Sequence, residues 1–207
     1  LRNRDIIIVQ TFSMRKLVKS KLKNKVLLQT EIWGDFNFKN LKSIKEKNLI
    51  YDEYLLNRIK FLFNRYILFF YPASFYAHKN HLNLIRAFDL ISSNTNIKFK
   101  LILTLSNQEL NFLDSTDKSY IVALGNLEYG NIIRIYDYID YLVYPSIIES
   151  YGLPLLEASL SNKKIIASNL DYVFDLCVPD YVFNPKDFND IYRTINLVMN
   201  ENKKSFL

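Results

Sequence analysis

Two glutamates, a glycine and a proline lie close together in residues 146–158, where the sequence reads SIIESYGLPLLEA. Glycine is scarce, at 4 of 207 residues, so Gly152 indicates a tight turn or a close approach of two backbones. Pro154 suits the first turn of a helix, where its missing N–H costs nothing. The segment therefore predicts a helix N-terminus whose free amides, at Tyr151, Gly152 and Leu153, favour an anion such as phosphate.

The two glutamates of this segment stand on either side of the predicted turn, Glu149 before it and Glu157 about one helical turn after it. A carboxylate repels phosphate, so we expect both side chains to accept hydrogen bonds from hydroxyl groups instead, as in the recognition of polyols. Two plainer interpretations stay open at this point. Glu157 could simply offset the helix dipole, and Glu149 could be an exposed loop residue.

A second candidate segment, FYPASFYAHKNH at residues 70–81, contains both histidines of the chain, with Lys79 between His78 and His81. Two histidines three residues apart could suggest a metal site, but no carboxylate or cysteine lies close by to complete the ligands, so no metal is expected. We expect Lys79 to offer a point charge to a phosphate and a histidine to contact the same group. The alternative is a solvated lysine and a histidine that packs against the sheet.

Alternating strands and helices must position these two segments. From residue 66 onward the predicted strands are residues 65–71, 98–105, 120–124, 140–145, 163–168 and 181–183, and the predicted helices are residues 78–92, 106–114, 127–139, 153–161 and 187–200. Near-continuous apolar strands are typical of parallel sheets that are covered on both faces. The sequence therefore predicts an α/β fold with a doubly wound, Rossmann-like parallel sheet, and places both candidate segments at carboxyl ends of strands.

The first 65 residues have a different organisation. A strand at residues 5–10, a helix at 13–22 and a strand at 25–29 form one predicted βαβ unit, and a polar stretch then leads to a helix near residues 51–63. One such unit cannot bury both faces of its own strands. It therefore either joins the main sheet or is the end of another domain, and we favour the second interpretation.

The positive charge of the chain is concentrated in the same region. Residues 1–65 carry 15 of the 27 lysines and arginines but only 6 of the 21 acidic residues, which leaves 12 basic against 15 acidic residues in the rest. A nucleic-acid-binding protein more usually carries basic residues along its main surface, so we expect no nucleic-acid partner. The lysine-rich residues 13–25 could approach an anionic membrane face, and the plainer alternative, a solvated basic surface, stays open.

The sequence also predicts a cytoplasmic location. The single cysteine, Cys177, cannot form an internal disulfide, which suits a reducing compartment. The first five residues, LRNRD, lack the apolar core of a signal peptide, and no apolar stretch is long enough to span a bilayer.

At the two candidate segments the chain resembles the C-terminal, donor-binding half of a retaining glycosyltransferase of family four, with the GT-B fold. The E-x7-E signature of that family matches Glu149 to Glu157, and residues 72–81 resemble its phosphate-lysine loop in the form Pro-x5-His-Lys-Asn-His. The resemblance covers about residues 66–200. It implies that residues 1–30 are a remnant of an N-terminal acceptor domain, residues 31–65 a linker with a connecting helix, and residues 66–207 the nucleotide-sugar donor-binding domain.

The resemblance implies a role for each matching residue. Lys79 would bind the donor diphosphate and Glu149 would contact hydroxyls of the transferred sugar, so these two are the implied catalytic residues. Glu157 would hold the ribose hydroxyls, while Leu124 and Gly125 would lie near the base. The remaining implied donor contacts are His78, Ser150, Tyr151, Gly152 and Leu153.

The implied reaction is transfer of a sugar, with retention, from a UDP- or GDP-linked donor to a glycan or lipid-linked acceptor, as in polysaccharide or lipopolysaccharide synthesis. Neither a metal nor another cofactor is implied. Many relatives carry an arginine where this chain has Ala73, and most of the acceptor domain, with its catalytic histidine, is not in this sequence. We therefore predict donor binding with little or no transfer by this chain alone, and a missing N-terminal domain or partner chain.

Three alternatives to this function stay open at the level of the sequence. A non-catalytic nucleotide-sugar-binding subunit, or a truncated remnant, would share the donor site without needing an acceptor half. A nucleotide-sugar epimerase would use the same two-domain architecture without any acceptor. An α/β protein–protein module would show no affinity for UDP or GDP.

Overall fold

The computed structural model describes residues 7–21, 30–32, 51–115 and 117–203. Six parallel strands form the main sheet: β3 (Ile67–Tyr71), β4 (Phe99–Leu103), β5 (Ile121–Ala123), β6 (Tyr141–Tyr144), β7 (Lys164–Ser168) and β8 (Tyr181–Phe183). Their order across the sheet is β5-β4-β3-β6-β7-β8. The predicted doubly wound α/β fold is therefore confirmed.

Helices connect these strands. They are α2 (Glu53–Phe63), α3 (His81–Asn94), α4 (Asn107–Leu110), α5 (Tyr129–Ile135), α6 (Leu153–Leu160), α7 (Asp171–Phe174) and α8 (Phe188–Lys203), with a 3-10 turn at Ala77–Lys79. Helix α3 packs against α8, and α2 packs against α5 and β3. Among the helices of the described residues, none is both long enough and apolar enough to cross a membrane.

The strand order creates a switch point between β3 and β6. The chain runs from β3 outward through β4 to the edge strand β5, then returns to the other side of β3 and continues through β6, β7 and β8. Where the winding of a parallel sheet reverses in this way, the connections diverge and leave a crevice beyond the carboxyl ends of the two central strands. The connections after β3 and β6 are the two segments that carry the candidate residues.

The core lies around the two central strands, whose residues are all buried. Phe69 in β3 packs edge-on against Phe88 in α3, with ring centroids 5.2 Å apart, and stacks on Tyr141 in β6 at 5.4 Å. Large rings on both sides of the switch point thus bury the strands that carry the candidate loops, and fix their relative position.

The element boundaries differ from the predicted ones for local reasons. The helix predicted from residue 78 begins as a separate 3-10 turn, because Asn80 has a left-handed backbone with φ of +61° and interrupts the helix before His81. The helix predicted over residues 127–139 ends at Ile135. The helix predicted over residues 106–114 is shorter in the structure, where α4 ends at Leu110. Its start is held by a capping box of Ser106 and Glu109, in which each side chain bonds to the backbone N–H of the other residue.

The N-terminal unit forms its own sheet in the described residues. Strands β1 (Ile7–Val9) and β2 (Thr30–Ile32) pair in parallel, with α1 (Phe12–Lys21) between them in sequence. The strand predicted at residues 25–29 lies outside the described residues, and the strand that pairs with β1 comes directly after it. Helix α1 reaches the main domain at α7, where the backbone N–H of Ser13 donates to Asp175 Oδ2 at 2.8 Å. The domain boundary at residue 30 remains a prediction.

Candidate functional site

A cleft of about 770 Å³ opens beyond the carboxyl ends of β3 and β6, at the switch point of the sheet. Three parts of the chain line it: the connection after β3, the connection after β6, and the N-terminal unit. The lining residues are Gln10, Met14, Pro72, Ala73, Ser74, Tyr76, His78, Lys79, Tyr144, Ile148, Glu149, Ser150, Tyr151, Gly152, Leu153 and Pro154. The cleft thus contains the candidate lysine, one candidate glutamate and the glycine turn.

The connection after β3 is held by hydrogen bonds from side chains that the sequence analysis did not single out. The hydroxyl of Tyr71 donates to the backbone oxygen of Lys79 at 2.8 Å. The buried amide of Asn80 donates to the carbonyls of Pro145, at 3.0 Å, and Pro185, at 2.7 Å. These bonds tie the loop after β3 to the loops after β6 and β8, so Lys79 is carried on a fixed backbone.

The connection after β6 is joined to the first one and turns sharply. The backbone N–H of Ile147 donates to the carbonyl of His78 at 2.8 Å. Gly152 has φ of +87°, and a Cβ there would lie 3.2 Å from a methyl carbon of Leu176 and 3.3 Å from one of Leu155. Both the backbone conformation and the close packing therefore require glycine at the start of α6.

Lys79 and Glu149 form an ion pair inside the cleft. The Lys79 ammonium lies 2.7 Å from Oε1 and 2.8 Å from Oε2 of Glu149, and the hydroxyl of Tyr144 lies 2.9 Å from Oε1. The side chains are only 18% and 7% exposed, so solvent screens the pair weakly. The sequence predicts both residues in the site, but the bond between them is apparent only in the structure.

Glu157 has different surroundings. It is 5% exposed, its Oε2 accepts a hydrogen bond from the hydroxyl of Tyr136 at 3.1 Å, and Tyr129 also hydrogen-bonds to it. Burial raises the pKa of Glu157, and burial together with this carboxylate raises the pKa of both phenols. Glu157 is not among the residues that line the cleft.

The structure brings together seven of the ten predicted donor-site residues. His78, Lys79, Glu149, Ser150, Tyr151, Gly152 and Leu153 all line the cleft. Leu124, Gly125 and Glu157 do not. Gly125 follows the edge strand β5, two strands away from β3, and its φ of +68° turns the chain toward α5, where Tyr129 bonds to Glu157. Leu124 and Gly125 therefore follow the edge strand of the same sheet, and Glu157 is linked to the helix that comes after them.

The two histidines, for which the sequence left phosphate contact or packing against the sheet open, lie in different environments. His78 lines the cleft and stacks on Tyr76, with ring centroids 5.8 Å apart. His81 is buried between Tyr71 and Phe75, at 4.9 Å and 5.9 Å, and burial lowers its pKa to about 4. Across the part of the chain that the structure describes, no group of three or more histidine, cysteine or acidic side chains could hold a metal ion.

Tyr71, Asn80 and Tyr144 are the site residues that the sequence analysis missed. The spacing of these residues does not separate them from structural residues, because Tyr71 and Tyr144 end predicted buried strands in a chain with 15 tyrosines. For the two tyrosines, the one available signal is a hydroxyl group at the carboxyl end of each central strand.

The sequence is similar to known sugar transferases. The model of the family "Glycosyl transferases group 1" matches residues 55–205. A serotype-specific mannosyltransferase of Escherichia coli, WbdA, is 24% identical over 176 residues, which are 81% of this chain and 20% of that protein. The chain thus spans about a fifth of the length of the curated relatives that it matches.

Solved structures support the same assignment at the level of the fold. A sucrose-phosphate synthase from Thermosynechococcus elongatus superimposes with a TM-score of 0.66 at 16% identity, over 97% of this chain and 50% of that one. Anabaena HepE in complex with UDP and glucose gives 0.65 at 14% identity, over 98% and 56% of the two chains. The C-terminal domain of a group 1 glycosyltransferase from Francisella tularensis, LpcC, gives 0.53 at 20% identity, over 67% and 77%. With a family match over most of its length and a sheet of this topology, the chain belongs to the group 1 glycosyltransferases and has a GT-B-type, Rossmann-like domain.

Proposed function

We propose that this chain supplies the donor-binding half of a retaining glycosyltransferase, which moves a sugar from a nucleoside diphosphate to a glycan or lipid-linked acceptor. The observation that carries the proposal is the meeting of Lys79, Glu149 and the Gly152 turn in one cleft at the switch point of the sheet. A nucleotide sugar requires a cation and free backbone amides for its diphosphate and, next to them, a hydrogen-bond acceptor for the hydroxyl groups of its sugar.

The diphosphate is proposed to bind between Lys79 and the start of α6. An ammonium group has three N–H donors, and Glu149 accepts from Lys79 at two oxygen positions, so a donor remains for a phosphate oxygen. At the start of α6, Pro154 has no N–H and the N–H of Leu155 donates to the carbonyl of Gly152. The amides proposed to meet the phosphate are therefore those of Gly152 and Leu153, at the positive end of the helix dipole. This combination stabilises the charge of the leaving diphosphate, and we propose that it does so without a bound metal or other cofactor.

The transferred sugar is proposed to lie against Glu149. An ionised carboxylate only accepts hydrogen bonds, so it selects hydroxyl-bearing groups and holds them next to the diphosphate. In the reaction the bond between the anomeric carbon and the diphosphate oxygen breaks, with the electron pair leaving on the oxygen. The acceptor hydroxyl then bonds to the oxocarbenium-like carbon on the face that the diphosphate leaves and passes its proton to the departing diphosphate oxygen. Attack on that face retains the configuration.

The nucleoside is proposed to extend toward Glu157, Leu124 and Gly125. Ribose hydroxyls are donors of the same kind as the phenols of Tyr136 and Tyr129 that bond to Glu157 in the described structure. Because the ring of Tyr129 is 37% exposed, it is the partner that a ribose could displace. The base then reaches the turn after the edge strand β5.

Similarity to WbdA, a mannosyltransferase, makes nucleotide-linked mannose the first sugar to test, and HepE, solved with UDP and glucose, makes UDP-glucose the second. The acceptor site is proposed to lie in an N-terminal domain or partner chain that faces this cleft, since Gln10 and Met14 of the N-terminal unit line its far side. The basic N-terminal region is proposed to bring a cytoplasmic enzyme to the inner face of a membrane that carries a lipid-linked acceptor.

Calorimetric titration of the chain with UDP, GDP, UDP-glucose and GDP-mannose tests the donor site. We expect one base to bind, and we expect Glu157→Ala to weaken that nucleotide more than it weakens the matching deoxyribose nucleotide. Equal effects on both nucleotides would remove Glu157 from the ribose site. No binding of any nucleotide or nucleotide sugar would refute the donor-site proposal and favour a protein–protein module.

Product analysis tests the reaction class in the protein with its acceptor half in place. We expect a glycoside whose anomeric configuration, read by NMR, equals that of the donor. An inverted product would refute retention. A changed nucleotide sugar formed without acceptor would indicate an epimerase, and binding without any turnover would indicate a non-catalytic subunit.

A further inference from the structure

Glu149 has a further hydrogen-bond partner, the hydroxyl of Tyr144, which lies outside both candidate segments. Tyr144 is the last residue of β6, is 1% exposed, and places its hydroxyl 2.9 Å from Glu149 Oε1. Because an ionised carboxylate can only accept, the phenol is the donor. Burial, reinforced by the neighbouring carboxylate, raises the pKa of Tyr144 far above working pH, so the donor proton is always present.

This bond makes the two oxygens of Glu149 unequal. Oε1 accepts from both Lys79 and Tyr144, whereas Oε2 accepts from Lys79 alone in the part of the chain that the structure describes. A carboxylate has about four acceptor positions, two on each oxygen. Oε1 is therefore saturated, and the acceptor position that remains lies on Oε2.

The ring of Tyr144 is itself fixed, so it can hold Glu149 in one orientation. It packs edge-on against Tyr71, with centroids 5.6 Å apart, and against Tyr172 at 6.4 Å. Its hydroxyl also lies beneath the Gly152 turn, 3.7 Å from where a Cβ on that glycine would be. The phenol thus joins the carboxylate to the turn that begins α6.

We propose that Tyr144 is a positioning residue that turns Glu149 Oε2 toward a hydroxyl of the transferred sugar, and so sets the share of donor affinity that the sugar contributes. The inference rests on the proposed function. Without the phenol, Oε1 regains a free acceptor position beside the one on Oε2. The sugar hydroxyl then meets two competing acceptor positions on Glu149, while the diphosphate still meets Lys79.

The test is the ratio of two dissociation constants, that of the nucleoside diphosphate divided by that of the matching nucleotide sugar, measured by calorimetry. In Tyr144→Phe we expect this ratio to fall about three- to tenfold, with the affinity for the diphosphate unchanged to about twofold, since one hydrogen bond to a charged group is lost. Tyr172→Phe is the matched control. The ring of Tyr172 packs against that of Tyr144, but its hydroxyl donates to the Ser146 carbonyl at 2.7 Å. The ratio measured for Tyr172→Phe should therefore equal that of the wild type.

The outcomes separate this inference from the proposed function. Wild-type protein that binds neither ligand refutes both. Wild-type protein that binds both ligands, with an unchanged ratio in Tyr144→Phe or an equal loss for the two ligands, refutes only the role of Tyr144.

A second comparison applies if Tyr144→Phe does not fold. The double variant Tyr144→Phe/Glu149→Gln removes the phenol together with the charged acceptor, and Glu149→Gln alone is its reference. The Lys79 ammonium lacks an ionised partner in both proteins, so that cost cancels in the comparison. The affinity of the double variant for the nucleotide sugar should equal that of Glu149→Gln alone, because the phenol acts only through the carboxylate. A further loss in the double variant would overturn the proposal.

Discussion

Glu149 and Glu157 belong to one motif and are eight residues apart, yet their surroundings are opposite. Glu149 lines the cleft and bonds through both oxygens to the ammonium of Lys79. Glu157 is buried, does not line the cleft, and bonds to the neutral hydroxyls of Tyr136 and Tyr129. One carboxylate is compensated by a charge and the other only by dipoles.

This difference shows that a motif specifies residue types but not their energetic state. The attraction of a neighbouring cation offsets the free-energy cost of removing a charged carboxylate from water. For a carboxylate that is buried against phenols, only hydrogen bonds from neutral donors offset that cost. We therefore expect substitutions at the two ends of the motif to change binding and stability in different directions.

Removal of the Lys79 ammonium, the partner of Glu149, should have the largest effect, a loss of affinity for the diphosphate. In Lys79→Met we expect the affinity for a nucleoside diphosphate to fall about 100-fold, or roughly 2.7 kcal/mol, because a charge-assisted contact to phosphate is removed. Isothermal titration measures this loss. Lys60→Met, at an exposed position on α2, is the control and should bind as the wild type does.

A loss of folding in Lys79→Met must be separated from a loss of binding. The variant leaves the nearly buried Glu149 carboxylate without its cation, so we expect it to be less stable as well. Lys79→Met/Glu149→Gln removes both charges and should recover stability without recovering diphosphate binding. Recovery of binding in this double variant would show that Lys79 has only a structural role.

Removal of the charge at the first glutamate should destabilise the fold. In Glu149→Gln the ammonium of Lys79 loses an ionised partner in a site that is largely closed to water, so the free energy of unfolding should fall by about 1–3 kcal/mol near pH 7. Urea denaturation followed by circular dichroism measures the change. An unchanged unfolding midpoint would mean that the ion pair contributes nothing net.

Removal of the charge at the second glutamate should have the smallest effect and the opposite sign. Glutamine keeps an acceptor oxygen for Tyr136, so Glu157→Gln should raise the free energy of unfolding at pH 8 by about 1 kcal/mol. Because burial raises the folded-state pKa of Glu157 above its unfolded value, the wild type gains stability as the pH falls through that pKa. The advantage of the variant should therefore disappear at acidic pH.

Urea denaturation at a series of pH values from 8 to 4 measures this difference between Glu157→Gln and the wild type. Glu149→Gln, measured in parallel, should remain the less stable protein at pH 8. If both glutamine variants lose stability equally there, the two carboxylates have equivalent surroundings and the comparison fails.

Much of the fold could be predicted from the sequence because the strands are short, apolar and separated by clear turn signals. The strand at residues 181–183 and the end of the one at residues 163–168 agree with the structure. The break before α3 could not be predicted, since the left-handed backbone of Asn80 depends on its bonds to Pro145 and Pro185, 65 and 105 residues away.

The residues of the candidate site also fall into two groups, those that local sequence reveals and those that it does not. Lys79, Glu149 and Gly152 could be recognised because a cation, an acid and a glycine at the ends of predicted strands are conspicuous in local sequence. The tyrosines that hold them could not, since a buried aromatic and a hydrogen-bonding aromatic have the same pattern until their partners are known. The Lys79–Glu149 pair itself joins residues 70 positions apart.

By itself, then, the sequence determined which segments are strands and helices and which short connections carry charged and glycine residues, because these properties follow from neighbouring residues. Only the tertiary structure decided that β3 and β6 are adjacent, since strand order results from the packing of the whole chain rather than from any one segment. That adjacency pairs Lys79 with Glu149 beside Tyr144, while Glu157 bonds to Tyr136 outside the cleft lining, because side chains far apart in sequence obtain their partners only when the sheet is assembled.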